Sequence, residues 1–147
     1  MKRKDFEQCI KQGTLIKIDI DKDLAIELIA LAQHRLSFWN SVKQNNKTYP
    51  SLFIEGHYEI IKELCTAILT LDGWKALDHE CMFAYLKRQR SEIESDFDYL
   101  LELKDTRNDI DYRGVMFSYA TWVANELKIN LAINVLKEYL ATRLESL

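Results

Sequence analysis

Helix breakers are scarce in this chain of 147 residues, which has four glycines and one proline. So few leave little room for the tight turns of an all-β protein, and long helices become the default. Long apolar runs are missing as well. No stretch approaches the ~18 consecutive apolar residues read as a membrane span, and the start, MKRKDFEQC, lacks the apolar core of a signal peptide. Nor is there an excess of positive charge. The net charge of −3 excludes a general attraction for nucleic acid or anionic membrane and leaves only local contact through a few arginines. The three cysteines, Cys9, Cys65 and Cys81, are odd in number, widely spaced and set among apolar residues. They read as reduced thiols of a cytoplasmic protein. Glycine-rich phosphate loops, G-x-S-x-G elbows and H-E-x-x-H metal motifs are absent. His79-Glu80-Cys81 holds metal-type ligands, but adjacent positions cannot close a tetrahedral site. No metal and no cofactor is expected.

What is present is the balance of an ordinary globular chain, 48% apolar and 29% charged. A chain of this length forms one domain, residues 1–147, and buries roughly two-thirds of its unfolded surface, enough to fold without a disulfide or metal. Residues 1–19, with the basic start Lys2-Arg3-Lys4, read as a short helix or arm packed on a bundle formed by 20–147. Leu24, Leu28, Leu31, Phe38 and Val42 recur at helical spacing, and Asp21 and Asp23 suit the positive end of a helix dipole, which predicts a helix over about 21–44. Pro50 opens a second helix over about 50–71 with two adjoining apolar stripes, wide enough to lie between two neighbours. A connector with a short helix near 78–87 follows. Ser91 and Glu94 form a capping-box pattern that opens a third helix, with Ile93, Phe97, Leu100, Leu101 and the stem of Lys104 inward. Gly114 stops it. Ser118 caps a fourth helix that runs to about 145 through Trp122, Ile129, Ile133, Leu136, Leu140 and Leu144. The expected fold is all-α: an up-and-down bundle of four long helices with a short N-terminal and a short connecting helix.

At the end of the third helix stands Arg107-Asn108-Asp109-Ile110-Asp111-Tyr112-Arg113-Gly114. A helix C-terminus favours cations, yet Asp105, Asp109 and Asp111 crowd it. Asp105 and Asp109 are a like-charged pair four apart, Asp109 to Arg113 is the favourable ion-pair orientation, and Arg107 to Asp111 is the poorer one. Local rules broken in one place mark either a site or a solvated, self-cancelling helix end. Asn108, Asp111 and Tyr112 share a face, whereas Arg107 and Tyr112 point roughly 140° apart on a helix of ~3.6 residues per turn.

These residues, with KIDIDKDLAIELIALAQHRL at the entry to the first helix, HYEIIKELCTAILTLDGWKALDHECMFAYL over the second helix and the histidine-containing loop after it, and LLELKDTRNDIDYRG in the segment that holds the signature, resemble the HEPN domains (higher eukaryotes and prokaryotes nucleotide-binding). The likeness is greatest to the small prokaryotic and archaeal branch that pairs with minimal nucleotidyltransferases, and it covers most of the chain. The resemblance implies a helical bundle, commonly a homodimer whose two motifs meet, and in nuclease members metal-independent RNA cleavage by an arginine, a polar neighbour and a histidine. Arg107 matches the arginine, Asn108 the polar neighbour, and Tyr112 stands where the histidine belongs. Histidine, with a pKa of about 6.5, trades protons at neutral pH, and tyrosine at about 10 does not. Arg107, Asn108, Asp111, Tyr112 and Arg113 are therefore the candidate ligand-binding set. Arg107 and Tyr112 are catalytic only if the protein is a nuclease.

Three readings follow. The first is a dimeric nucleotide-, RNA- or partner-binding module for a minimal nucleotidyltransferase, one half of a toxin–antitoxin pair. The second is a metal-independent ribonuclease toxin using Arg107 with Tyr112, or with His57 or His79 relocated beside it. The third is a non-catalytic helical interaction protein. Lys87-Arg88-Gln89-Arg90 is either an RNA contact or a solvated helix end. Trp39, Trp74 and Trp122 are core or interface anchors, and this much aromatic surface fits burial between two copies.

Overall fold

A computed structural model describes residues 3–147; Lys2 of the basic start lies outside them. Asp5 opens α1 (Phe6–Lys11) through a reciprocal capping box with Gln8, both hydrogen bonds 2.9 Å. The arm then enters β1 (Leu15–Lys17), which pairs antiparallel with β2 (Trp74–Ala76), Leu15 opposite Ala76 and Lys17 opposite Trp74. This ribbon departs from the all-α expectation. Three-residue strands are too short to carry a period-two pattern, and the pairing is held by tertiary contacts: Leu15 is buried, and the Lys17 ammonium lies 4.8 Å from the Trp74 ring centroid.

The other described elements are helical. Asp21 caps α2 (Lys22–Ser41), which ends in a 3-10 turn, Lys43–Asn45. Pro50 stands in the first turn of α3 (Pro50–Asp72), as expected, and Gly73 ends it. α3 is the central element. It is buried on nearly all sides, between α2 and α6 with α4, α5 and β2 also against it, which is the wide apolar face at work.

The inward face of α2 matches the expected one only at Leu28 and Val42. Leu24, Leu31 and Phe38 are exposed, while Ala25 and Ala32 are buried and Leu28, Ile29, Leu36 and Trp39 are partly covered. Two small alanines let the helix approach α3 closely, and Gly56 leaves the space that the Trp39 indole occupies. Close approach, not side-chain size, chose the face.

Asp78 caps α4 (His79–Gln89), slightly longer than the expected connector helix. α5 (Phe97–Arg113) starts later than the sequence predicts. Its cap is Asp96, whose side chain accepts from the Tyr99 amide at 3.0 Å, and Ser91 and Glu94 lie in the preceding turn. Ile93 is buried even so, with Phe97, Leu100, Leu101 and Leu103. Gly114 closes α5 with φ +64, and Ser118 caps α6 (Tyr119–Glu145) as expected.

One buried carboxylate fastens three helix ends. Asp72 receives Arg90 at 2.6 Å, Arg143 at 2.5 Å and the Tyr85 hydroxyl at 2.8 Å. Burial alone raises its pKa, but these donors outweigh that and hold it below the ordinary value. The basic run is therefore consumed within the chain: besides Arg90, Lys87 pairs with Asp98 and Arg88 with Glu7. The tryptophans are internal anchors. Trp39 and Trp122 flank Phe53 and His57, and Trp74 packs on Phe6 and Tyr85.

The reading of three reduced thiols is corrected. Cys9 and Cys81 form a disulfide that joins α1 to α4 across 72 residues, and Cys65 is the free, buried cysteine. An intracellular location loses the support that three free thiols supplied. No helix among the described residues is long and apolar enough to cross a membrane.

Candidate functional site

α3 and α5 pack side by side, and α5's last two turns carry Arg107 over a strip of α3 made of Glu55, Tyr58, Glu59 and Lys62. The strip arises because α3 is apolar nearly everywhere else, so its few polar side chains fall where α5 leaves a margin. Arg107 is covered on every side. Nη2 donates to Glu59 Oε1 at 2.9 Å and Nη1 to Asn108 Oδ1 at 3.1 Å. Nε lies 3.0 Å from Asp111 Oδ2 but is angled away from it, an ion pair without a hydrogen bond. The guanidinium carbon also stands 5.7 Å from the Tyr58 ring centroid. Only 15% of its side chain is exposed. Arg107 to Asp111, the poorer orientation in an isolated helix, is thus the tighter pair, because packing buries it. Arg113 to Asp109 spans 3.7 Å with Arg113 out in solvent.

The surrounding charges follow from this arrangement. Glu55 is pushed up to about 7, first by hydrogen bonding to Asp111 and then by burial. Burial also opposes ionisation of Glu59, but Lys62, 2.6 Å away, and Arg107 win and hold it below its usual range. Asp105 is no longer an uncompensated partner for Asp109, since Arg3 reaches it at 2.8 Å and Lys104 at 3.3 Å.

Beside the arginine opens a depression of about 380 Å³ lined by His79, Lys104, Arg107, Asn108 and Tyr112 among others. Its geometry brings Arg107 to one rim with Asn108 and Tyr112 despite the divergent directions of Arg107 and Tyr112 on α5. Asp111 sits behind, on the Glu55 side, and Arg113 is not part of it. Tyr112 is 76% exposed and without a partner among the described residues. His57, one of the two histidines considered as replacements, is instead buried on the other side of α3, where its Nδ1–H donates to the Phe53 carbonyl at 2.7 Å.

His79 does reach the site. Its Nδ1 is 2.8 Å from the hydroxyl of Tyr58, a phenol that burial keeps protonated. Nδ1 and this hydroxyl share one hydrogen bond, and Nε2 has no partner among the described residues. Burial, then Lys62 and Arg107, lowers the His79 pKa. The depression therefore presents the His79 imidazole, the Lys104 ammonium, the Asn108 amide and the Tyr112 hydroxyl beside the carboxylates of Asp78 and Glu80. Among the described residues no three His, Cys, Asp or Glu side chains are arranged to hold a metal ion. Glu55, Tyr58 and Glu59 were not read as site residues in the sequence; three glutamates, Glu55, Glu59 and Glu63, each four apart in a largely apolar helix, were the available cue.

Comparison with protein families, with characterised proteins and with solved structures returns no match.

Proposed function

We propose that the chain is a HEPN-like binding module whose α5 corner recognises a partner or a nucleotide-bearing ligand without cutting it. The supporting observation is the state of Arg107: its guanidinium is engaged by Glu59, Asp111 and Asn108, while Tyr112, at the position that would need a proton carrier, is an exposed phenol. Such a corner offers hydrogen-bond donors but no histidine on α5 to carry a proton at neutral pH. A minimal nucleotidyltransferase in a toxin–antitoxin pair and a homodimer as working unit belong to this reading through the sequence resemblance, and an up-and-down order of the four long helices and a cytoplasmic location through the sequence pattern. A pull-down from the native host tests it. Recovery of a nucleotidyltransferase with the wild type but not with Tyr112→Ala supports the reading; identical recovery with both sinks it.

A ribonuclease is the second reading, favoured by one observation, the unpartnered Nε2 of His79 in the same depression as Arg107. Incubation with RNA in EDTA separates the two. Cutting that disappears in both Arg107→Ala and His79→Ala makes the protein an enzyme, and intact RNA leaves it a binder.

A further inference from the structure

The depression beside Arg107 has two walls. One is α5, and the other is residues 77–80 at the start of α4. The second wall is fastened to the N-terminal arm almost residue by residue. The Leu77 amide donates to the Thr14 carbonyl at 2.9 Å. Asp78 accepts the Lys4 ammonium at 2.7 Å through one carboxylate oxygen and the Cys81 amide at 2.8 Å through the other. Glu80 accepts the Lys4 backbone N–H at 2.6 Å, and Cys81, one residue further, is bonded to Cys9. From this run His79 turns inward, to Tyr58.

Apart from the disulfide, the arm is lightly held. α1 is six residues long, too short to persist by itself. Cys9 is its buried residue, Phe6 rests half-buried on Trp74 and Tyr85, and Glu7 meets Arg88 in an exposed pair of small effect. β1 contributes three residues to a two-stranded ribbon, which is marginal without support. Such a segment opens locally once untied, whereas α3, buried on nearly all sides, keeps its own packing. The covalent bond therefore decides whether the arm stays, and the arm decides whether the wall stays.

We propose that the Cys9–Cys81 disulfide is a redox latch on this depression: a dithiol reductant opens it, the arm over 4–17 detaches, and the wall at 77–81 loses its shape. Both sulfurs are buried, so attack follows a transient opening of α1. One thiolate of the reductant then takes a sulfur of the bridge, the S–S bond breaks, and one cysteine leaves as thiolate. The second thiolate of the reductant displaces the other cysteine. Two electrons and two protons pass to Cys9 and Cys81, which end as thiols, and the reductant ends as a disulfide. Release also removes the Lys4 ammonium from Asp78 and Glu80, so two uncompensated carboxylates face the depression and disfavour an anionic ligand. The latch regulates the site proposed above and rests on that reading, but its test reads the shape of the wall and uses no partner.

Amide hydrogen exchange, read by mass spectrometry, and the His79 ring resonances, read by NMR, are compared before and after an excess of dithiothreitol. Thiol alkylation verifies the reduction. Exchange should quicken together over 4–17 and 77–81, on the order of tenfold or more, with α3 unchanged and the His79 resonances shifted. Oxidised glutathione should restore the slow state. Cys9→Ser should match the reduced wild type and ignore the reductant. A bridge that stays oxidised under excess reductant in the folded protein overturns the proposal. So does quickening over 4–17 with 77–81 and His79 unmoved, or quickening of α3 by the same factor, which makes the bridge a part of global stability. Any of these leaves recovery of a partner through Tyr112 as it was, so the two readings fail separately.

Discussion

The sequence offers Arg107 as a ligand-binding residue, and its surroundings turn it into a pin between α3 and α5. A guanidinium buried with carboxylates on two helices stabilises only while all partners remain. Arg107→Ala leaves Asp111 and Glu55 facing each other with Lys62 on Glu59 as the remaining cation, and should cost about 1–3 kcal/mol in urea unfolding. Tyr112→Phe, at an exposed position, should stay within about 0.5 kcal/mol. The same cluster makes stability depend on pH. Glu55 holds its proton more tightly in the folded chain, at about 7 against an ordinary 4.5. Its stabilising contribution is therefore complete below pH 4.5 and lost as the pH rises to 7. Glu55→Gln should remove about 1 kcal/mol of that decline, a figure reduced for solvent screening. Parallel denaturation curves of wild type and variant across this window measure it, and identical slopes would refute the assignment.

At the scale of elements, the packing of α2 on α3 turns on Gly56. An added Cβ would run into the Trp39 indole. Alanine favours a helix interior by about 1 kcal/mol over glycine, yet Gly56→Ala should destabilise by about 1–3 kcal/mol because it displaces a ring packed on Phe53 and His57. A lower melting temperature with altered tryptophan fluorescence is the expected result. The start of α5 gives an equally sharp comparison. Asp96 caps it, while Ser91 lies in the turn before. Asp96→Ala should cost about 1 kcal/mol and Ser91→Ala less than about 0.5 kcal/mol. Equal losses would restore the earlier start.

For the whole molecule, the disulfide determines how firmly the N-terminal arm is held. Cys9 and Cys81 close a loop 72 residues apart, and a crosslink of that span stabilises by about 4 kcal/mol in the chain-entropy account. Arm and body are also joined by Lys4 to Asp78 at 2.7 Å and by Arg3 to Asp105, exposed pairs of small individual effect. Reduction should therefore lower the melting temperature by several degrees while the bundle still folds. Cys81→Ala should show the same drop and no further response to reductant. Retention of the full melting temperature after verified reduction would show that the core alone suffices.

The helical character of the chain, Pro50 at the start of α3, Gly114 at the end of α5, Ser118 at the start of α6 and the inward residues of α6 were all legible in the sequence. Each rests on the chemistry of a few neighbouring residues: a missing N–H, a permitted positive φ, a capping hydroxyl, a repeat near 3.6. Other features needed partners far along the chain. Which face of α2 turns inward depended on space at Gly56; the ribbon needed residues 15–17 and 74–76 brought together; and the Cys9–Cys81 bond joined positions whose spacing alone named no pair. The candidate site divides the same way. Its arginine, asparagine and tyrosine could be found in one short stretch, but Glu59, Tyr58 and His79 join them only through packing, and packing decided that Arg107 is held rather than free. Local sequence determines what each segment prefers, whereas the environment that gives a charge its role comes from non-local neighbours that remove water and supply counter-charge.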